Sequence, residues 1–265
     1  RWFEAASQQG ALEATAYCGS FYLFGQGVSQ DLNRALNLIQ TAADGKNAVG
    51  LRFLGLMYQS GLGLPRDYSK AINLYSEAAD RRDAKAFYYL GDLYLRGVGV
   101  KKDTGKAVSF FTEGARLGDS LAQLRLGGMY ARHDQKNANS TVPQDYPKAI
   151  KLYTDSAAQG NIVAAYRLGE IYKERATAQD YKNAVNYYRQ SANHGYIPAQ
   201  IALGELNEKK GAAINLIQAY VWYSLAFDHG STVAGERLES ITSQLSTDQL
   251  KAAQARLKER KTRIN

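Results

Sequence analysis

The chain has 265 residues, 45% hydrophobic and 22% charged, enough apolar surface for a large core and too much for a disordered chain. No run approaches eighteen consecutive apolar residues, which argues against a membrane-spanning helix, and a single cysteine, Cys18, excludes an intramolecular disulfide or a multi-cysteine metal site. Of the formal net charge of +8, the last 17 residues supply +5, so the rest of the chain lacks the basic footprint that nucleic-acid binding requires.

In chain order, Trp2 to Gly10 matches only the end of a unit, because Gly10 lies 36 residues before its counterpart Lys46. The chain is therefore expected to start within a repeat and to continue a longer protein. A glycine then recurs at Gly19, Gly55, Gly91, Gly127, Gly169 and Gly204, at spacings of 36, 36, 36, 42 and 35 residues. A tyrosine follows three residues later in the first five copies (Tyr22, Tyr58, Tyr94, Tyr130, Tyr172). An aspartate recurs at Asp31, Asp67, Asp103, Asp145 and Asp180, each with an alanine four residues on. Three anchors holding one period predict stacked structural repeats.

Each unit reads as two amphipathic helices. In the second copy Leu51, Leu54 and Tyr58 share one face of a helix over about 48–59. Gly61-Leu62-Gly63 ends it, Asp67 caps the next helix, and Ala71, Tyr75, Ala78 and Ala79 form that helix's buried stripe. Repeats are predicted over 11–46, 47–82, 83–118, 119–160, 161–195 and 196–230, with a cap over 231–265 whose last helix is capped by Thr247 or Asp248. The fourth copy's extra residues fall in a polar loop from His133 to Thr141, expected to project from the inter-helix edge. The fold expected is an all-α, right-handed superhelical solenoid forming one domain.

The pattern of Ala86, Leu90, Gly91, Tyr94, Gly97, Gly99, Val100, Asp103, Lys106 and Ala107 resembles the Sel1-like repeat, a relative of the tetratricopeptide class. Nearly the whole chain carries it. The resemblance implies a bacterial adaptor or scaffold without a reaction of its own, favours a periplasmic or secreted location, and implies that first helices line the groove.

No grouped acid, base and nucleophile suggests catalysis, and no cofactor is expected. The Gly-x-Gly turns follow helices rather than strands, which makes them turns and not phosphate loops. His194 and His229 lie one repeat apart near helix ends and lack a second metal ligand at helical spacing. Cys18 takes a position held by leucine in later copies and is expected to pack as a small hydrophobe. The repeat tyrosines are expected in the core.

Partner-binding residues are sought on the first-helix stripe that escapes the packing pattern. Aromatics open it (Tyr17, Phe53, Tyr89), followed by Asp92, Arg96, Arg125, Arg132 and Arg167, and then by Glu170 and Glu174. The arginines suit an acidic protein or peptide. The competing expectation is a solvated wall in which Asp92 pairs with Arg96 and Arg167 with Glu170. A second functional reading is a cell-envelope accessory that binds a glycan or a peptidoglycan-acting enzyme through the aromatic wall.

Overall fold

Each second helix of the first four repeats begins where an aspartate carboxylate accepts the backbone N–H three residues on. Asp31 takes that of Arg34, Asp67 that of Lys70, Asp103 that of Lys106 and Asp145 that of Lys148, at 2.9–3.0 Å. The cap satisfies an otherwise unpaired donor at the positive end of the helix dipole. First helices are capped too, by Asn47, Asp83, Asp119 and Asn161. The computed structural model describes residues 2–131, 142–175, 177–208 and 215–264, and among them every regular element is an α-helix.

The helices fall into two compact units, Arg1–Pro143 and Gln144–Asn265. The first holds α1 (Trp2–Gln8), α2 (Leu12–Phe24), α3 (Leu32–Asp44), α4 (Ala48–Ser60), α5 (Tyr68–Asp80), α6 (Ala84–Arg96), α7 (Thr104–Arg116) and α8 (Ser120–Tyr130). The second holds α9 (Tyr146–Ala158), α10 (Ile162–Arg175), α11 (Ala178–Ala192), α12 (Ile197–Glu208), α13 (Leu216–Asp228), α14 (Thr232–Thr242) and α15 (Thr247–Ile264). Within each unit successive helices pack pairwise up to α14, and α15 packs on α13. In the first unit α2 also touches α4, and α6 touches α8. The loop from His133 to Thr141 lies outside the described residues.

Two glycine roles set the geometry. Gly61 adopts φ +77° and its N–H returns to the Met57 carbonyl, a left-handed helix end that a side chain would strain. Gly91 instead lets two helices meet: a Cβ built there would lie 2.6 Å from Phe111 on the partner helix. Gly55, Gly169 and Gly204 face Tyr75, Tyr188 and Tyr223 in the same way, which is why one glycine and one large core residue recur together.

Three expectations need correction. The repeat tyrosines are half-buried, and Tyr22, Tyr58 and Tyr94 are each covered by a cation, with Arg34, Lys70 and Lys106 at 4.3, 5.1 and 5.3 Å from the ring centroids. They sit where the first helix hands over to the second, their carbonyls accept the N–H of the capping aspartate, and a long side chain closes over the ring. In the fifth copy Thr177 is the cap, and Asp180 lies in the first turn, bonded to the Thr177 hydroxyl. The last helix is capped by neither Thr247 nor Asp248. Ser246 accepts the N–H of Gln249 while the Gln249 side chain accepts that of Ser246, a reciprocal capping box.

Second helices end on a left-handed residue, glycine at Gly118, Gly160, Gly195 and Gly230 but Lys46 and Arg82 in the first two copies. A side chain in that conformation costs about 1–2 kcal/mol, partly offset by glycine's greater freedom when unfolded. Lys46 has an ion pair with Glu77 there, whereas Arg82 is exposed. Arg82→Gly is expected to stabilise the chain by about 0.5–1 kcal/mol in urea unfolding, and a loss of stability would contradict this account of the turn.

Candidate functional site

The first helices of the N-terminal unit converge on a concave pocket of about 210 Å³ lined by Tyr17 and Phe24 from α2, Arg52, Phe53 and Leu56 from α4, Lys85, Tyr88 and Tyr89 from α6, and Leu121 from α8. The three aromatic residues expected from the stripe, Tyr17, Phe53 and Tyr89, therefore meet at one place. Tyr17 packs edge-on against Phe53 at 6.1 Å, and Tyr89 stacks on the buried Tyr75 at 4.9 Å. Burial pushes the Tyr89 hydroxyl up from its ordinary pKa, so it stays protonated and able to donate. Phe24 and Leu121 remain 44% and 38% exposed, an unusual state for large apolar side chains that border one pocket.

Sequence reasoning missed Arg52. Its side chain is only 5% exposed; Nε donates to Asp83 Oδ2 at 3.0 Å, and the guanidinium lies 4.4 Å from the Phe53 ring centroid. The other Asp83 oxygen caps α6 through the Ala86 N–H. A charge buried in this way survives because it is paired and bonded. The only early signal was its place three residues before Gly55, equivalent to Tyr88 before Gly91, on the same wall.

Of the remaining stripe residues, Asp92, Arg96, Arg125, Arg167 and Glu170 are engaged in ion pairs. Asp92 was expected to face solvent, but its side chain is mostly buried because it is shared: Arg96 approaches one oxygen at 3.1 Å and Arg125, from the next repeat, the other at 3.7 Å. Arg132 lies outside the described residues. In the second unit Arg167 pairs with Glu170, which also accepts a bond from the Tyr166 hydroxyl at 2.8 Å. Glu170 and Glu174 line a pocket of about 470 Å³ with Tyr166, Lys173, Tyr188 and Glu205 among its other walls, and Lys173 reaches Glu205 at 3.4 Å.

The basic C-terminal helix is fastened down. Arg260 lies 3.8 Å from the Trp222 ring centroid and donates to Asn193 Oδ1, and Lys261 pairs with Asp228 at 2.7 Å. Cys18 is buried, and that burial raises its thiol pKa, which suits packing rather than nucleophilic chemistry. His194 and His229 contact the Gln190 carbonyl and the Gln200 side chain. Among the described residues no three His, Cys, Asp or Glu side chains are grouped to hold a metal ion, and no helix is long and apolar enough to cross a membrane.

Helix pairs that repeat one glycine-to-aromatic contact and one capped turn define an α/α repeat scaffold. The Sel1 repeat matches residues 12–47, 48–83, 84–119, 120–161, 162–196 and 197–231, and the chain belongs to that family. The matched bounds run one residue later than the expected ones, each opening at the first residue of a first helix. A protective antigen of uropathogenic Escherichia coli with an SLR fold is 31% identical, with a TM-score of 0.71 over 96% of this chain and 56% of that one. This chain thus spans little more than half of the antigen's length. A Sel1 repeat protein from Oxalobacter formigenes is 29% identical, with a TM-score of 0.71 over 82% of this chain and 88% of its own. An immunity protein of Pseudomonas aeruginosa, 19% identical with a TM-score of 0.54 over 82% of this chain and 80% of that one, shares the fold. No curated protein matches the chain.

Proposed function

We propose that this Sel1 repeat scaffold is non-catalytic and holds a protein or peptide partner against the first-helix wall of its N-terminal unit. The observation that carries the reading is the aromatic pocket with exposed Phe24 and Leu121 at its edge. Desolvated aromatic anchors beside an arginine are the residue types that dominate interface energetics. Arg96 and Arg125 form a polar rim in this reading. Their pairing with Asp92 has already engaged them, so they contribute less than the aromatic anchors.

Calorimetry on a partner purified with the full chain tests this. Phe24→Ser combined with Leu121→Ser should weaken binding by about 2 kcal/mol or more, with little change in thermal unfolding because both side chains are exposed. Arg125→Ala combined with Arg167→Ala should cost less. Unchanged affinity in the first pair would remove the pocket from the interface. Retention of the chain on a polysaccharide matrix, abolished by that same pair, would favour the glycan reading instead.

A further inference from the structure

We infer that the pocket of the first unit recognises the carboxylate of a polypeptide C-terminus whose last residue is large and apolar, a deepening that rests on the partner-binding reading above. A guanidinium carries five N–H donors in a planar fork. The Nε of Arg52 is taken by Asp83, and among the described residues Nη1 and Nη2 donate to no acceptor, although the side chain is 95% buried and lines the pocket. Both Asp83 oxygens are already engaged, since the second accepts the Ala86 N–H. Neither Nη is among the fully buried atoms left without a partner, so the unused donors of this otherwise buried side chain are open to solvent; at the pocket it lines, a carboxylate is the fitting bidentate acceptor for them.

Charge agrees with this. The only ionisable side chains in the lining besides the tyrosines are Arg52 and Lys85, both cations. Lys85 stands exposed at the rim, and no carboxylate among the described residues forms an ion pair with it; the acidic neighbour in its field, Asp119, is committed to capping α8. The other walls are Tyr17, Phe24, Phe53, Leu56, Tyr88, Tyr89 and Leu121.

Size selects among the possible carboxylates. At about 210 Å³ the pocket falls below the roughly 300–1,000 Å³ of small-molecule sites and admits one residue. That residue must present an apolar body to the rings and a carboxylate to Arg52. An internal aspartate or glutamate lacks the body, and an internal phenylalanine lacks the charge. A C-terminal apolar residue carries both.

The test uses an array of octapeptides with free C-termini, with every amino acid at the last position over randomised upstream sequence, probed with the full chain. Retention should concentrate on peptides ending in large apolar residues. Anisotropy titration of the best binders should show affinity falling about tenfold or more when the C-terminus is amidated, and by a similar factor in Arg52→Gln. Lys85→Glu and Phe24→Ser, both at exposed positions, should also weaken binding, which keeps the test decisive if Arg52→Gln unfolds. Equal binding of amidated peptides, no retention of any free-carboxylate peptide, or indifference to both Lys85→Glu and Phe24→Ser would overturn the inference. A partner lost on Phe24→Ser with Leu121→Ser, yet bound unchanged after its last residue is removed, would leave the scaffold reading standing and this one refuted.

Discussion

Asp83→Ala is expected to destabilise the chain by about 3–5 kcal/mol, the range for removing one member of a buried ion pair. The side chains of Arg52 and Asp83 are 5% and 8% exposed and meet at 3.0 Å. Deleting the carboxylate leaves a mostly buried guanidinium without its counter-charge beside the Phe53 ring, and it also removes the N-cap of α6. The loss belongs to the broken pair and does not measure the pair's net value. Arg52→Met combined with Asp83→Asn, which restores the cap and removes both charges, should therefore recover most of the stability. Urea unfolding of the single and double variants separates the two statements. A single variant within about 1 kcal/mol of the parent would show that the pair behaves as an exposed one in solution.

Gly91→Leu is expected to cost about 3 kcal/mol or more, the upper range for overpacking a core. A Cβ alone would lie 2.6 and 2.7 Å from two carbons of the Phe111 ring, which is itself fully buried. Gly105→Leu is the control, because the only atom near an added Cβ there is Asp103 Oδ1 at 3.4 Å. Thermal unfolding should fall sharply in the first variant and little in the second. Equal midpoints would contradict the helix contact assigned to the repeat glycine.

Repeat architecture was legible because its signals are local and recur from copy to copy. A glycine that must lack a side chain, an aspartate that caps, and a left-handed turn each leave a residue type at a fixed offset. The aromatic part of the candidate pocket was legible for the same reason: Tyr17, Phe53 and Tyr89 share a register, so one periodic stripe brings them together. What stayed hidden depends on pairs distant in sequence. Arg52 reads as a surface charge until Asp83, 31 residues on, meets it. Asp92 reads as exposed until Arg125 of the following repeat arrives at its second oxygen. Lys85 and Leu121 occupy one repeat position, six residues before the glycine, that faces the pocket although it lies off the chosen stripe. Arg260 counted toward a basic tail until Trp222 was found beneath it.

The central claim is that the first-helix wall of the N-terminal unit is a protein-binding surface. The most direct measurement replaces Phe24 with a photo-crosslinking residue in the native cell, with a second chain carrying the same residue in place of the exposed Ser109 on α7. The account predicts a discrete protein adduct from position 24, absent at position 109 and abolished by Leu121→Ser. Equal labelling from both positions, or a position 24 adduct that survives Leu121→Ser, would contradict it.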